Sequence, residues 1–249
     1  MLIVNGLAGS TTFINHRNTA DVSNANLTLF TPAGLTFAIW GIIYLLLGVY
    51  ILFALGVIKL PKVKPTSVVY QKINGLLTIS SIINILWLLS WQFEVFWLTI
   101  VLMILLLLTL IRIHTLVFDL KLNTQKSLIL RMPFSIYFGW ISIATVANIS
   151  TAIVAWDWAM FDNNQAIWMI VTTITATLIG LTVGINRQDP WYLLVYVWAY
   201  LGIIIRHLNN APEGFDQQYP EIIIAVSIML VIILAVITKL IFKRHKPKK

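Results

Sequence analysis

The stretch FTPAGLTFAIWGIIYLLLG, residues 30–48, begins as a turn and continues as an apolar helix. Pro32 and Gly34 are typical of a turn, and the residues after them are almost all apolar, as in a segment that crosses a membrane. Trp40 and Tyr44 are less expected, because an indole N–H and a phenol O–H need partners that lipid chains do not supply. The stretch therefore predicts a transmembrane helix whose aromatic face meets other helices or a cavity.

The composition of the whole chain also indicates a membrane protein. Of its 249 residues, 59% are hydrophobic and only 10% are charged, whereas soluble domains carry about 25% charged residues. The alternating segments of about ten residues that form a membrane β-barrel are not found in the sequence. We predict an all-α fold, a polytopic membrane helix bundle. The chain contains no cysteine, which excludes disulfides and thiolate chemistry.

Seven segments are long and apolar enough to span a bilayer, which takes about 20 residues. These segments are 34–58, 71–92, 95–117, 132–156, 166–185, 190–206 and 221–242. The start of the chain, MLIVNGLAGSTTF, is apolar but shorter, and we expect a partial helix there. It lacks the basic start and the long apolar run of a signal peptide.

Basic and acidic connections alternate along the chain. The connections 59–72 and 112–131 and the tail after Lys239 are rich in lysine and arginine, whereas the acidic residues concentrate in the other connections. By the positive-inside rule, the basic connections face the cytoplasm. We predict a multi-pass protein of the cell membrane with a cytoplasmic C-terminus. Its net charge of +8 favours acidic membrane lipids, and not nucleic acid, as the partner.

Aromatic, amide and small side chains recur at helical spacing on three of the predicted helices. These stripes are Phe37, Trp40, Tyr44 and Gly48; Asn84, Trp87 and Trp91; and Tyr137, Trp140, Ala144 and Asn148. A rise of about 1.5 Å per residue places Trp40, Asn84 and Asn148 in the same outer half of the membrane. Polar groups at this depth normally face the interior of the bundle. Spacing alone leaves two interpretations open, a packed interface or a pocket for a flat apolar ligand.

The other aromatic residues have simpler interpretations. We expect an interfacial belt of tryptophans at the helix ends, formed by Trp91, Trp97, Trp156, Trp158, Trp168 and Trp191. The sixth predicted span carries a tyrosine stripe, and Arg206 and His207 at its end are expected to extend towards the membrane surface. Gly41 and Gly48 would allow close helix approach. No strong dimer motif accompanies them, so a homodimer is left open.

Three motifs, in their order and spacing, resemble the TspO/MBR family of tryptophan-rich sensory or translocator proteins. The turn TPAG at 31–34, followed by Phe37, Trp40 and Tyr44, is similar to the opening of the family's second helix. The stretch INILW at 83–87 is similar to the Leu-Asn-x-x-Trp of its third helix. Pro133, Trp140, Ala144 and Asn148 follow the spacing of its fifth helix. The turn has one proline instead of two, and Phe134 replaces a tyrosine.

The resemblance implies a TspO-like membrane unit over 1–160 with an incomplete first helix. An additional three-helix segment with a basic tail would follow over 161–249, as in a longer bacterial variety. It further implies a pocket for a flat hydrophobic molecule, such as a porphyrin or an isoprenoid lipid, with 15–33 as a lid. From the residues of the spans themselves we expect no enzymatic activity, no cofactor and no metal. The predicted ligand-binding residues are Phe37, Trp40, Tyr44, Asn84, Trp87, Tyr137, Trp140, Ala144 and Asn148.

Two other functions stay open on the sequence. Secondary transporters usually carry ionisable residues near the membrane midplane. No predicted span has such a residue at its centre, so proton-coupled transport is not expected, whereas facilitated diffusion stays open. A porphyrin-degrading enzyme would need acid–base, metal or nucleophilic groups. The sequence places no carboxylate pair in the spans, and the histidines lie outside the spans or at their ends: His16, His114, His207 and His245.

Overall fold

The structure is a computed structural model that describes residues 1–120, 122–157 and 164–245, and this part of the chain is helical. The helices are α1 Leu2–Ser10, α2 Thr19–Ala25, α3 Ile39–Ala54, α4 Val68–Gln92, α5 Phe96–Phe118, α6 Thr124–Leu130, α7 Met132–Ala155, α8 Gln165–Arg187, α9 Pro190–Leu208 and α10 Pro220–His245. A 3₁₀ turn, Gly34–Ala38, leads directly into α3. The predicted all-α fold is confirmed.

Seven helices of the described chain are long and apolar enough to cross a membrane: the 3₁₀ turn with α3, then α4, α5, α7, α8, α9 and α10. They correspond in order to the seven predicted spans. The largest difference is at the end of α3, which stops at Ala54 instead of residue 58. Gly56, at φ +77°, donates its N–H to Phe53, and Val57 donates its N–H to Leu52, both at 2.9 Å. This pair of bonds closes the helix with a left-handed glycine.

The start of α9 shows how the sequence sets a helix boundary. Pro190 occupies the first turn, where its missing N–H is not needed. The Asp189 carboxylate accepts hydrogen bonds from the backbone N–H groups of Trp191 and Tyr192, at 3.2 and 3.3 Å. An N-cap of this kind satisfies donors that no helical carbonyl reaches. It explains why a short connection can separate α8 from α9.

The chain forms two compact units. The first comprises Met1–Val22 and Ala38–Ile141, and the second comprises Ser23–Phe37 and Ser142–Lys249. In the first unit α4 packs along α5, α1 packs on α4, and α6 packs on α3. In the second unit α10 packs on α8 and α9, and α8 packs on α9.

This division differs from the two segments that the resemblance implies, because it runs through α7 and assigns 23–37 to the second unit. The predicted boundary between 1–160 and 161–249 falls within 158–163, outside the described residues. The two-segment division therefore stays a prediction.

Close helix packing in the second unit rests on glycines of α8. A Cβ added at Gly180 would lie 2.6 Å from Cε1 of Tyr196 on α9, and Gly184 similarly meets Leu193. Small residues four apart let two helices approach closely in a membrane. The sequence analysis assigned this role to Gly41 and Gly48, but an added Cβ there has nothing within 4 Å in the described chain. Within the chain, that prediction was wrong.

Candidate functional site

An aromatic cluster in the first unit joins α3 to the first half of α7. The Trp40 ring stacks on Tyr44 with 5.6 Å between centroids, one turn further along α3. It also meets Tyr137 and Trp140 edge to face, at 6.0 and 6.3 Å. Tyr137 and Trp140 are buried, whereas Trp40 and Tyr44 are half-buried. Both residues of α3 therefore keep part of their surface uncovered.

A second part of the site lies on α4. Asn84 and Trp87, three residues apart, are both buried, and the Trp87 ring stacks on Trp91 with 5.8 Å between centroids. The Asn5 amide of α1 donates to Oδ1 of Asn84 at 2.8 Å. The oxygen half of the Asn84 amide is thus satisfied within the unit.

The first turn of α1 connects these two parts. The Tyr137 hydroxyl donates to the sulfur of Met1 at 3.6 Å. Asn5, one turn later, bonds to Asn84 and also donates to the Met1 carbonyl at 3.1 Å. The start of α1, with its N-cap Met1, therefore lies against both Tyr137 and Asn84. Six of the predicted site residues are linked in this way within one unit: Trp40, Tyr44, Asn84, Trp87, Tyr137 and Trp140.

Three hydrogen-bond donors in this group have no partner among the described residues. They are the Tyr44 hydroxyl, the Nδ2 amide of Asn84 and the indole N–H of Trp87, all inaccessible to solvent. Leaving such a group unsatisfied costs about 1–3 kcal/mol. Tyr44 belongs to the aromatic cluster, and Asn84 and Trp87 lie on α4, which Asn5 and Met1 link to Tyr137 of that cluster. Donors in this arrangement suit a flat molecule that carries hydrogen-bond acceptors at its edge.

The other three predicted residues belong to the second unit. Phe37 lies in the 3₁₀ turn, and Ala144 and Asn148 lie on the second half of α7. Phe37 and Ala144 are half-buried. Asn148 is 2% exposed, and neither its amide oxygen nor its nitrogen has a partner among the described residues. The nine residues are thus divided between the units, and their action as one site stays a prediction.

The end of α4 holds residues that the sequence analysis interpreted differently. Trp91, expected in the interfacial belt, is 6% exposed and donates its indole N–H to the Thr19 carbonyl at 3.3 Å. Gln92 donates to the Arg17 carbonyl at 3.1 Å, and Asn15 donates to the Gln92 carbonyl at 2.7 Å. These bonds fasten 15–19 to the end of α4. Trp158, also assigned to the belt, lies outside the described residues.

The end of α9 also departs from expectation, because Arg206 and His207 are buried and do not extend to a surface. Arg206 donates to the side-chain oxygen of Asn24 at 2.8 Å, and Nε2 of His207 lies 3.0 Å from the Leu29 carbonyl. Further along, the Trp198 indole donates to the Thr36 carbonyl at 2.8 Å. The second unit thus holds 24–36 along α9. Sequence pattern gave no sign of these contacts, which join residues about 160–180 positions apart.

A cavity of about 320 Å³ lies in the second unit, between α7, α8 and the segment Thr28–Phe30. None of the nine predicted site residues lines it. It is distinct from the aromatic cluster, which the first unit contains by itself.

Comparison with known families agrees with this architecture. The model of the TSPO-like protein family matches residues 1–240 and so includes the three helices after residue 160. No curated protein and no solved structure matches the chain. Proteins of this family are generally binding or sensor proteins and not enzymes. Its described residues contain seven helices long and apolar enough to cross a membrane, and this chain is a multi-pass integral membrane protein that belongs to the TSPO-like protein family.

Proposed function

We propose that the protein is a receptor, sensor or carrier for a flat, largely apolar molecule with hydrogen-bond acceptors at its edge. A tetrapyrrole such as a porphyrin fits this description, since its ring is planar and its side chains carry carboxylates. The observation that carries the proposal is the set of three unpartnered donors, on Tyr44 of the aromatic cluster and on Asn84 and Trp87 of α4. The ligand would lie in the half of the membrane opposite the basic tail.

The aromatic residues supply the surface on which such a ligand would stack. Trp40 is held by Tyr44, Tyr137 and Trp140, so its orientation is fixed before a ligand arrives. A well-oriented aromatic pair contributes about 0.5–1.5 kcal/mol beyond the apolar area that it buries. Because Trp40 is only half-buried, part of its ring surface is free for this contact.

Asn5 has a positioning role in this proposal. By donating to Oδ1 of Asn84, it fixes which half of that amide is occupied. The Nδ2 group is then the half that would face a ligand. It and the Trp87 indole can only donate, and the Tyr44 hydroxyl can donate as well. The site would therefore prefer a ligand whose edge carries acceptors, such as carboxylates or carbonyl groups, over one with donors. The basic connections favour a cytoplasmic C-terminus in the cell membrane.

The test is a titration of the purified protein with protoporphyrin IX, followed by the absorbance of the porphyrin. We expect saturable binding to the wild-type protein and a weaker affinity for Trp40→Leu, by about 2–12-fold, which corresponds to 0.5–1.5 kcal/mol. Trp97→Leu is the matched control, because Trp97 is 62% exposed at the start of α5. The proposal is wrong if binding is not saturable, or if both variants lose affinity equally.

A further inference from the structure

We propose that the cavity of the second unit is a separate lipid site that holds one hydrocarbon chain of a bilayer lipid. Its walls are 146–154 of α7, 165–172 of α8 and the segment Thr28–Phe30. Its volume of about 320 Å³ lies at the low end of the roughly 300–1,000 Å³ that small-molecule sites occupy.

The cavity uses a different face of α7 from the one that carries the predicted ligand-binding residues. Ala144 and Asn148 are four residues apart and share one face of the helix. Val146, Ile149 and Ile153 line the cavity. At about 100° per residue they point to the opposite side of α7. A ligand in the cavity would therefore not contact the Ala144 and Asn148 face.

The depth of the cavity matches part of one membrane leaflet. Its lining spans nine residues of α7, from Val146 to Val154, and eight residues of α8, from Gln165 to Thr172, which is eight and seven helical steps. At about 1.5 Å per residue, these stretches are about 12 and 10 Å long. Both begin near the end of α7 at Ala155 and the start of α8 at Gln165, which the sequence predicts to lie at the membrane surface. A hydrocarbon core of about 30 Å gives about 15 Å per leaflet, so the cavity reaches through most of one leaflet.

The walls are mostly apolar, and this favours a hydrocarbon chain. Their polar members are Thr28, Ser150, Gln165 and Thr172. Leu29, Phe30 and Met169 form a buried apolar side. Ile149 and Trp168, which also line the cavity, are 37% and 40% exposed, so the opposite side is apolar and open. Both belong to helices that are long and apolar enough to span a membrane, so in a bilayer their exposed surface would face lipid. Apolar cavities stay dry and take up apolar molecules, and the nearest such molecule is the neighbouring lipid chain.

The helices after residue 160 contribute to two of the three walls of this cavity. α8 supplies one wall, and the end of α9 holds the segment that forms another. His207 lies 3.0 Å from the Leu29 carbonyl, and Arg206 bonds to Asn24. Within the segment, the Thr28 N–H donates to the Thr31 hydroxyl at 3.1 Å. We therefore assign the additional helices a role in binding lipid.

Photolabelling in vesicles tests the proposal with the full chain. The probe is phosphatidylcholine that carries a diazirine on one acyl chain, added at a low fraction to unlabelled phosphatidylcholine, and adducts are mapped by peptide mass spectrometry. We expect adducts at Leu29 and Phe30, which are buried and closed to bulk lipid. Ile228 of α10, 50% exposed, serves as the reference for bulk contact.

Two cavity-filling variants complete the experiment. Ser150→Phe and Thr172→Phe should each reduce labelling at 28–30, relative to Ile228, by fivefold or more. Thr175→Phe changes an exposed position of α8 and should leave the labelling at 28–30 unchanged. The proposal is overturned if wild-type 28–30 carries no adducts, a result that does not depend on any variant folding. It is also overturned if a folded filling variant keeps the wild-type ratio. Labelling by a diazirine fatty acid but not by the phospholipid would overturn the assignment to a bilayer lipid.

Discussion

Replacing Tyr44 with phenylalanine should stabilise the ligand-free protein while weakening its affinity for ligand. The Tyr44 hydroxyl is buried without a partner among the described residues. An unsatisfied buried hydroxyl costs about 1–3 kcal/mol, and phenylalanine removes it while keeping the ring that stacks on Trp40. A porphyrin that accepted a hydrogen bond from Tyr44 would lose about 0.5–1.5 kcal/mol, or about 2–12-fold in affinity.

Tyr50→Phe is the matched control, because it changes the same residue type on the same helix. The Tyr50 hydroxyl donates to the side-chain oxygen of Asn74 at 2.8 Å. Its removal breaks a satisfied bond and leaves the Asn74 oxygen unpaired, so the free energy of unfolding should fall by about 1 kcal/mol or more. Affinity for the ligand should not change, since Tyr50 is not part of the aromatic cluster around Trp40. The two variants should thus show opposite effects.

The assay combines thermal unfolding in detergent, followed by circular dichroism, with protoporphyrin IX titration. For a chain of this size, 1 kcal/mol corresponds to about 2–4 °C in melting temperature. We expect Tyr44→Phe to melt at or above the wild-type temperature without ligand, and to gain less stability than the wild type when porphyrin is added. The reasoning is refuted if Tyr44→Phe is destabilised as much as Tyr50→Phe and binds porphyrin with wild-type affinity.

Two further predictions concern packing and surface charge, and thermal melting checks both. Gly180→Leu should destabilise the protein by about 1–3 kcal/mol, because an added Cβ already lies 2.6 Å from Tyr196. Gly41→Ala should be neutral or stabilising, because a Cβ added there has nothing within 4 Å. Equal losses of stability in Gly180→Leu and Gly41→Ala would contradict the close packing of Gly180 on Tyr196. Arg17→Ala should cost less than about 1 kcal/mol, even less in high salt, because its 3.1 Å ion pair with Glu94 is largely exposed. A larger cost that salt does not change would contradict this.

The sequence by itself determined the membrane architecture. Bilayer thickness sets the length of a spanning helix, and backbone groups in lipid must bond within their own helix. Long apolar runs therefore predict helices with little ambiguity, and the seven predicted spans match seven helices of the described chain. Local chemistry also set some boundaries, as Asp189 and Pro190 do at α9.

The tertiary structure decided which polar and aromatic residues have partners. Helical spacing placed Trp40 and Tyr44 on one face, but only folding shows that Trp40 contacts Tyr137 and Trp140 while the Tyr44 hydroxyl has no partner. Spacing could not predict this, because a hydrogen-bond partner on another helix leaves no periodic trace in the sequence.

The same limit explains why Trp91, Arg206 and His207 were interpreted as surface residues. Each lies near a helix end, where most such side chains meet the membrane surface. Here Trp91 bonds to Thr19 and Arg206 to Asn24, both in segments far away in sequence. Depth in the membrane follows from counting residues along one helix. Burial depends on which distant segment packs against that helix, and this only the folded chain determines.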